Sequence, residues 1–115
     1  MCKFINLTPH ALNVQLGDTM IEIPASGAVA RCAVNAVDGS AVYGIPTVTN
    51  TYGEVQGLPA LADMEHGAVY LVSALVLGRL GAEYAGRVFA PDTGATAIRE
   101  NGQIKAVTQL VGVSA

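Results

Sequence analysis

The sequence predicts a β-dominated α+β domain: a compact antiparallel or mixed sheet, or a small barrel-like meander, carrying one short helix. Three observations predict it. Short runs alternate apolar and polar side chains with a period of two. Turn dipeptides (Gly17-Asp18, Asp38-Gly39, Asn101-Gly102) separate those runs. Only one segment, after Ala74, has helical character. At 115 residues the chain forms one domain spanning 1–115, long enough to bury about two-thirds of the surface its unfolded form exposes.

The first third reads as strands. "CKFINL" and "ALNVQL" are separated by "TPH", where the residue before Pro9 is held extended. Leu12, Val14 and Leu16 alternate with Asn13 and Gln15, as a half-buried strand requires. Gly17-Asp18 fits a tight hairpin into "TMIEIP". "ASG" turns the chain into "AVARCAVNAV", which Asp38-Gly39 closes, giving a meander of four strands. From Ser40 to Gly67 the chain is rich in glycine and proline, and "PTVTNTYGEVQGLP" is expected to form a loose hairpin about "NTYG". Loop-rich segments on a β-scaffold commonly carry binding surfaces. "VYLVS" suits a buried strand and "ALVLGRLGAEY" one short helix. The remainder is β again: "RVFAP", a "DTG" turn, and "TAIRE" and "QIKAV" about Asn101-Gly102, the strongest hairpin signal in the chain. "TQLVGV" supplies a last strand.

Composition narrows the function classes. Hydrophobic residues make up 51% and charged residues 13% of the chain, against an ordinary charged share of about 25%. A lone subunit so composed exposes apolar patches, and such patches mark association, so a homo-oligomer is expected. Six basic and nine acidic residues give a net charge of −3, which disfavours nucleic-acid binding. The longest apolar run, Ala68 to Gly78, is far short of the ~20 residues a membrane span needs. No basic leader precedes an apolar segment, so secretion is not expected. Cys2 and Cys32 sit in strand-like stretches, as buried free thiols in a reducing cytosol would.

Asp92-Thr93-Gly94 after an apolar run matches the catalytic triplet of aspartic proteases. Only 21 residues follow Gly94, too few for a flap and the later elements. Pro91 also removes a strand hydrogen-bond donor. A turn explains the triplet better, with Asp92 accepting backbone N–H bonds and Gly94 supplying a positive φ. Such a turn can also form an anion-binding nest, with the hydroxyls of Thr93 and Thr96 beside it.

His10 and His66 are the only histidines, and neither has a partner at metal-ligand spacing. No metal and no cofactor is expected. No nucleophile–base pair, phosphate loop or dinucleotide fingerprint is present, and Ser26 reads as a turn residue. Arg31, Arg79, Arg87 and Arg99 interrupt apolar segments. They are either outward-facing, salt-bridged to Glu22 or Glu100 in the case of Arg31 and Arg99, or reach an anion bidentately. Tyr43 and Tyr52 lie in the irregular middle, where a ring can stack on a base or pack at a subunit contact. The candidate ligand-binding set is Thr8, His10, Arg31, Tyr43, Tyr52, Asp92, Thr93, Gly94, Thr96 and Arg99.

The pieces "FINLTPHALNV", "IPASGAVARC", "VYLVSALV", "PDTG" and "GQIKAVTQLVG" resemble, in that order, a group of small proteins of unassigned function encoded by phages, prophages and some bacteria. The resemblance covers most of the chain and is most specific at Asn6, Thr8, Pro9, His10 and at Pro91 to Gly94. It implies a phage-related origin and carries over no catalytic residue. Among small phage proteins of this build, some are oligomers that sequester nucleotide immune signals of the host, an analogy of setting rather than of site. The expectation is therefore a cytoplasmic, non-enzymatic homo-oligomer holding a small anionic ligand, such as a nucleotide, between subunits. The alternative is a protein-binding phage module, either an inhibitor of a host enzyme or a small virion component. A small hydrolase using Asp92 or His10 is a third reading.

Overall fold

The computed structural model describes residues 3–113, so the expectation for Cys2 lies outside the described residues. The centre is a four-stranded mixed sheet in the order β1 (Lys3–Asn6), β6 (Ala68–Leu71), β7 (Val88–Pro91), β10 (Leu110–Gly112). β1 and β6 are parallel, β6 and β7 are parallel, and β10 closes antiparallel on β7. Three two-stranded ribbons surround it: β2 (Leu12–Leu16) with β3 (Thr19–Ile23), β4 (Arg31–Asp38) with β5 (Val48–Gln56), and β8 (Ile98–Glu100) with β9 (Gln103–Ala106).

The sheet is covered on both sides, which explains why "VYLV" and "VFA" are continuously apolar instead of alternating. Ala68, Tyr70, Val72, Val88 and Ala90 face one side with Val76 and Leu77 of α1 (Ala74–Leu77). Leu71 faces the other, against Val14, Ile23 and Val107 from the surrounding ribbons, with Phe89 packed alongside. Leu71, Val72 and Val88 have no measurable exposure, and each such side chain contributes about 1.5–3 kcal/mol of burial free energy. Ser73 starts α1 by accepting the Val76 N–H at 3.3 Å, and the helix stops at Gly78.

Two hairpins form where the turn residues place them. Gly17-Asp18 joins Leu16 to Thr19. Asn101 (φ 54°) and Gly102 (φ 79°) form the paired left-handed turn that matches strand twist.

Two expectations for the first half are corrected. β1 leaves the meander and pairs with β6 instead, while β3 and β4 do not pair. The segment around "NTYG" is not a hairpin: residues 48–56 run straight through as one strand opposite β4. Val, Thr and Tyr dominate that segment, and their branched or aromatic side chains suit an extended backbone better than a turn. No closed barrel forms, because the four-stranded sheet keeps β1 and β10 as its outer strands.

The β4–β5 ribbon is the long feature of the molecule. Its tip is a second left-handed turn, Tyr43 (φ 50°) and Gly44 (φ 81°), between Val42 and Ile45, which exchange two backbone hydrogen bonds. At the ribbon's base, Cys32 and Val55 pack against the core; most of the rest is exposed on both faces. The molecule measures 54 × 41 × 27 Å with a radius of gyration of 16.5 Å, against about 13 Å for a compact domain of this size. The ribbon is an arm.

Candidate functional site

Three places carry the polar residues singled out by sequence. The first is a knot at the end of β1. Asn6 is 1% exposed; its amide donates to the carbonyls of His10 (2.9 Å) and Ile23 (3.1 Å). Its oxygen accepts from the Thr8 N–H (3.0 Å) and the Thr8 hydroxyl (2.6 Å). That hydroxyl also reaches the His10 carbonyl. Four bonds satisfy a fully buried amide, so "NLTPH" is first a fold-holding device. His10 contributes its carbonyl, and the residue is exposed.

The second place is the Pro91–Gly94 turn. The Asp92 carboxylate accepts the Gln109 side-chain amide at 2.6 Å, the Gly94 N–H at 3.0 Å and the Thr96 hydroxyl at 3.5 Å. These bonds, Gln109 first and Gly94 second, hold its pKa below the ordinary aspartate value, with partial desolvation pulling the other way. Arg99 donates to the carbonyls of Thr93 (2.7 Å) and Gly94 (3.1 Å). The turn expected from Asp-Thr-Gly is present, but Gly94 does not take the positive φ expected of it. Two of the donors expected to form a nest, the Gly94 N–H and the Thr96 hydroxyl, point at Asp92 instead of outward. A carboxylate already fills the position an anion would take.

The third place is the arm. Tyr43 is 100% exposed at its tip, and Tyr52 lies under the guanidinium of Arg79, 4.3 Å from the ring centroid. Arg31 is exposed at the start of β4. The ion pairs considered for the arginines do not form among the described residues: Glu100 pairs with Lys105, and Lys3 with Glu65.

The fold brings some of the candidate set together. Thr8, His10 and Thr93 line one shallow cleft with Ser73 and Pro91. Thr8 also borders the adjoining groove that holds Arg31 and Cys32. Asp92, Thr96, Gly94 and Arg99 form their own closed network. Tyr43 and Tyr52 stand apart on the arm. No group of three or more His, Cys, Asp or Glu side chains converges among the described residues, and no helix of the described residues is long and apolar enough to cross a membrane. Cys32 is a half-buried free thiol rather than a fully buried one.

What the residue-by-residue reading missed is the apolar face of the arm. Opposed residues of an antiparallel ladder share a face, and the register puts Cys32, Val34, Ala36 and, at the far end, Asp38 on the same side as Val55, Tyr52, Asn50 and Val48. Arg31, Asn35, Thr49, Thr51 and Gln56 share the other side with Ala33 and Val37. The ribbon is amphipathic, and its apolar side continues outward from the core packing of Cys32 and Val55. Val34 is 45% and Val48 60% exposed. One signal could have found it: between Cys32 and Gly53 the sequence holds a single ionised side chain, Asp38.

No protein-family model, no curated protein and no solved structure matches the chain.

Proposed function

We propose that the protein is a non-enzymatic structural module that works by binding protein, in the first place copies of itself, through the β4–β5 arm. The observation that carries this reading is the uncovered apolar side of the arm. An exposed two-stranded ribbon has too little burial to hold its own shape in water, and its apolar side chains gain about 25 cal/mol per Å² when another chain covers them. The low charge of the whole chain points the same way.

Sedimentation tests it. The wild-type chain at micromolar concentration sediments as a dimer or larger assembly, and a variant with Val48→Ser and Tyr52→Ser sediments as a folded single chain. A monodisperse single chain of wild type would remove self-association.

One observation favours a second reading, a small anionic ligand held beside the β1 knot. Thr8, His10 and Thr93 share a cleft with Ser73, and Arg31 stands in the adjoining groove. A nucleotide is the ligand class this reading takes. Ligand at 100 times its Kd stabilises by about 2.7 kcal/mol, so a thermal-shift panel of nucleotides decides it. An unchanged Tm across the panel at millimolar concentration eliminates the reading.

A further inference from the structure

The arm has two outer edges, and they differ. Cys32 pairs with Val55 and Val34 with Tyr52, so Gly53 and Glu54 together oppose the single residue Ala33. The bulge lies on β5. Bulges twist an edge away from further pairing. β4, in contrast, is regular over eight residues, and among the described residues no strand other than β5 pairs with it. Long, regular, uncharged edges are what natural sheets ordinarily block.

The ladder also fixes which groups are free. The Gly39 N–H donates to Thr47 O, which makes Asp38–Val48 a wide pair and Val37–Thr49 a narrow one. Hydrogen bonding alternates along an antiparallel ladder. Residues 35 and 37 therefore turn their N–H and C=O groups toward β5, while Val34, Ala36 and Asp38 turn theirs outward.

Resting on the arm reading above, we propose that the open edge of β4 pairs antiparallel with β4 of a second copy across a two-fold axis near Val34 and Asn35, joining two arms into one four-stranded sheet. Three observations select a second copy as the occupant. An antiparallel edge is complementary to itself under a two-fold axis normal to the sheet, so both copies use the same patch. The charges of β4, Arg31 and Asp38, sit at its two ends, so antiparallel alignment sets unlike ends side by side and leaves no like pair opposed. Val34 and Val37, 45% and 54% exposed on the two faces of β4, gain cross-strand neighbours from the second copy, so the seam covers apolar side chains on both faces. Merging the arms also aligns their apolar sides, which then cover one wider surface beside the two bodies.

Val34 lies opposite or diagonally next to its own copy in this arrangement, and that makes a charge-swap experiment decisive. Val34→Lys and Val34→Glu each place like charges together across the axis. Each variant alone is expected to sediment as a single chain at micromolar concentration, with the wild-type circular dichroism spectrum. An equimolar mixture is expected to recover the dimer, with one chain of each kind by native mass spectrometry. Ala36→Pro removes only an outward-turned N–H and provides a second variant, expected to dissociate while keeping the arm's hairpin ladder. An assembled wild type whose Val34→Lys and Ala36→Pro variants remain assembled overturns the edge pairing and leaves the arm reading standing. Separate Lys and Glu variants that dissociate but do not recombine overturn the two-fold register. A wild type that is a single chain overturns both.

Discussion

The guanidinium of Arg79 stands 4.3 Å from the centre of the Tyr52 ring, and through this contact the segment after α1 touches the arm beyond its packed base. Cation–π contacts at exposed sites contribute about 0.5–1 kcal/mol. The doubly substituted Arg79→Ala, Tyr52→Ala chain is expected to show a coupling of that size in a double-mutant cycle by urea denaturation. Tyr52→Phe keeps the ring and is expected to keep most of the coupling.

Asn6 gives the largest single effect outside the apolar core. Asn6→Ala leaves the buried carbonyl of Ile23 and the Thr8 N–H without their partner, and each unsatisfied buried group costs about 1–3 kcal/mol. A loss of about 3 kcal/mol is expected from denaturant unfolding. Asn6→Asp retains the acceptor for Thr8 but loses both donors, and is expected to be destabilised as well.

Acid sensitivity should trace in part to Asp92. Its pKa in the folded chain is depressed, chiefly by the Gln109 bond, so folding favours the ionised form. The resulting stability is fully present above the ordinary aspartate value of about 3.9 and is lost as pH falls through the lower folded value. The Tm of wild type is expected to drop as pH falls below about 4. Gln109→Ala is expected to flatten that drop and lower Tm at neutral pH.

Gly57 has a positive φ of 87°, and a Cβ built there would collide with the Val29 carbonyl. Gly57→Ala is expected to cost at least about 1–3 kcal/mol. Gly86 has a similar φ of 80° but open space around it, so Gly86→Ala costs less. Thermal denaturation of the two variants separates strain from collision.

Legibility in the sequence followed distance along the chain. Gly17-Asp18 and Asn101-Gly102 announced their hairpins because turn and strands are neighbours. The short helix starts at Ala74 as expected, but it stops at Gly78 instead of running through "ALVLGRLGAEY", with a separate single turn at Ala82–Tyr84. β1 pairing with β6 left no such mark, since a parallel partner more than sixty residues away has no turn to signal it. The arm was misread for a different reason. Gly53 looked like a turn residue, whereas it occupies a bulge within a continuous strand. Among the candidate site residues, Asp92 was placed in its turn, but Arg99 offered no clue that its guanidinium would be spent on backbone carbonyls six and five residues back.

The strand order β1-β6-β7-β10 has a consequence for how the chain acquires its shape. The central sheet joins Lys3–Asn6 to Ala68–Leu71, Val88–Pro91 and Leu110–Gly112, so its last strand can dock only after the hundred or so residues between have been made. The ribbons need only neighbours, and short-range pairing is fast where long-range pairing is slow. The arm should thus be built while the sheet is still open, and its edge would be presented to sister chains before either body is finished.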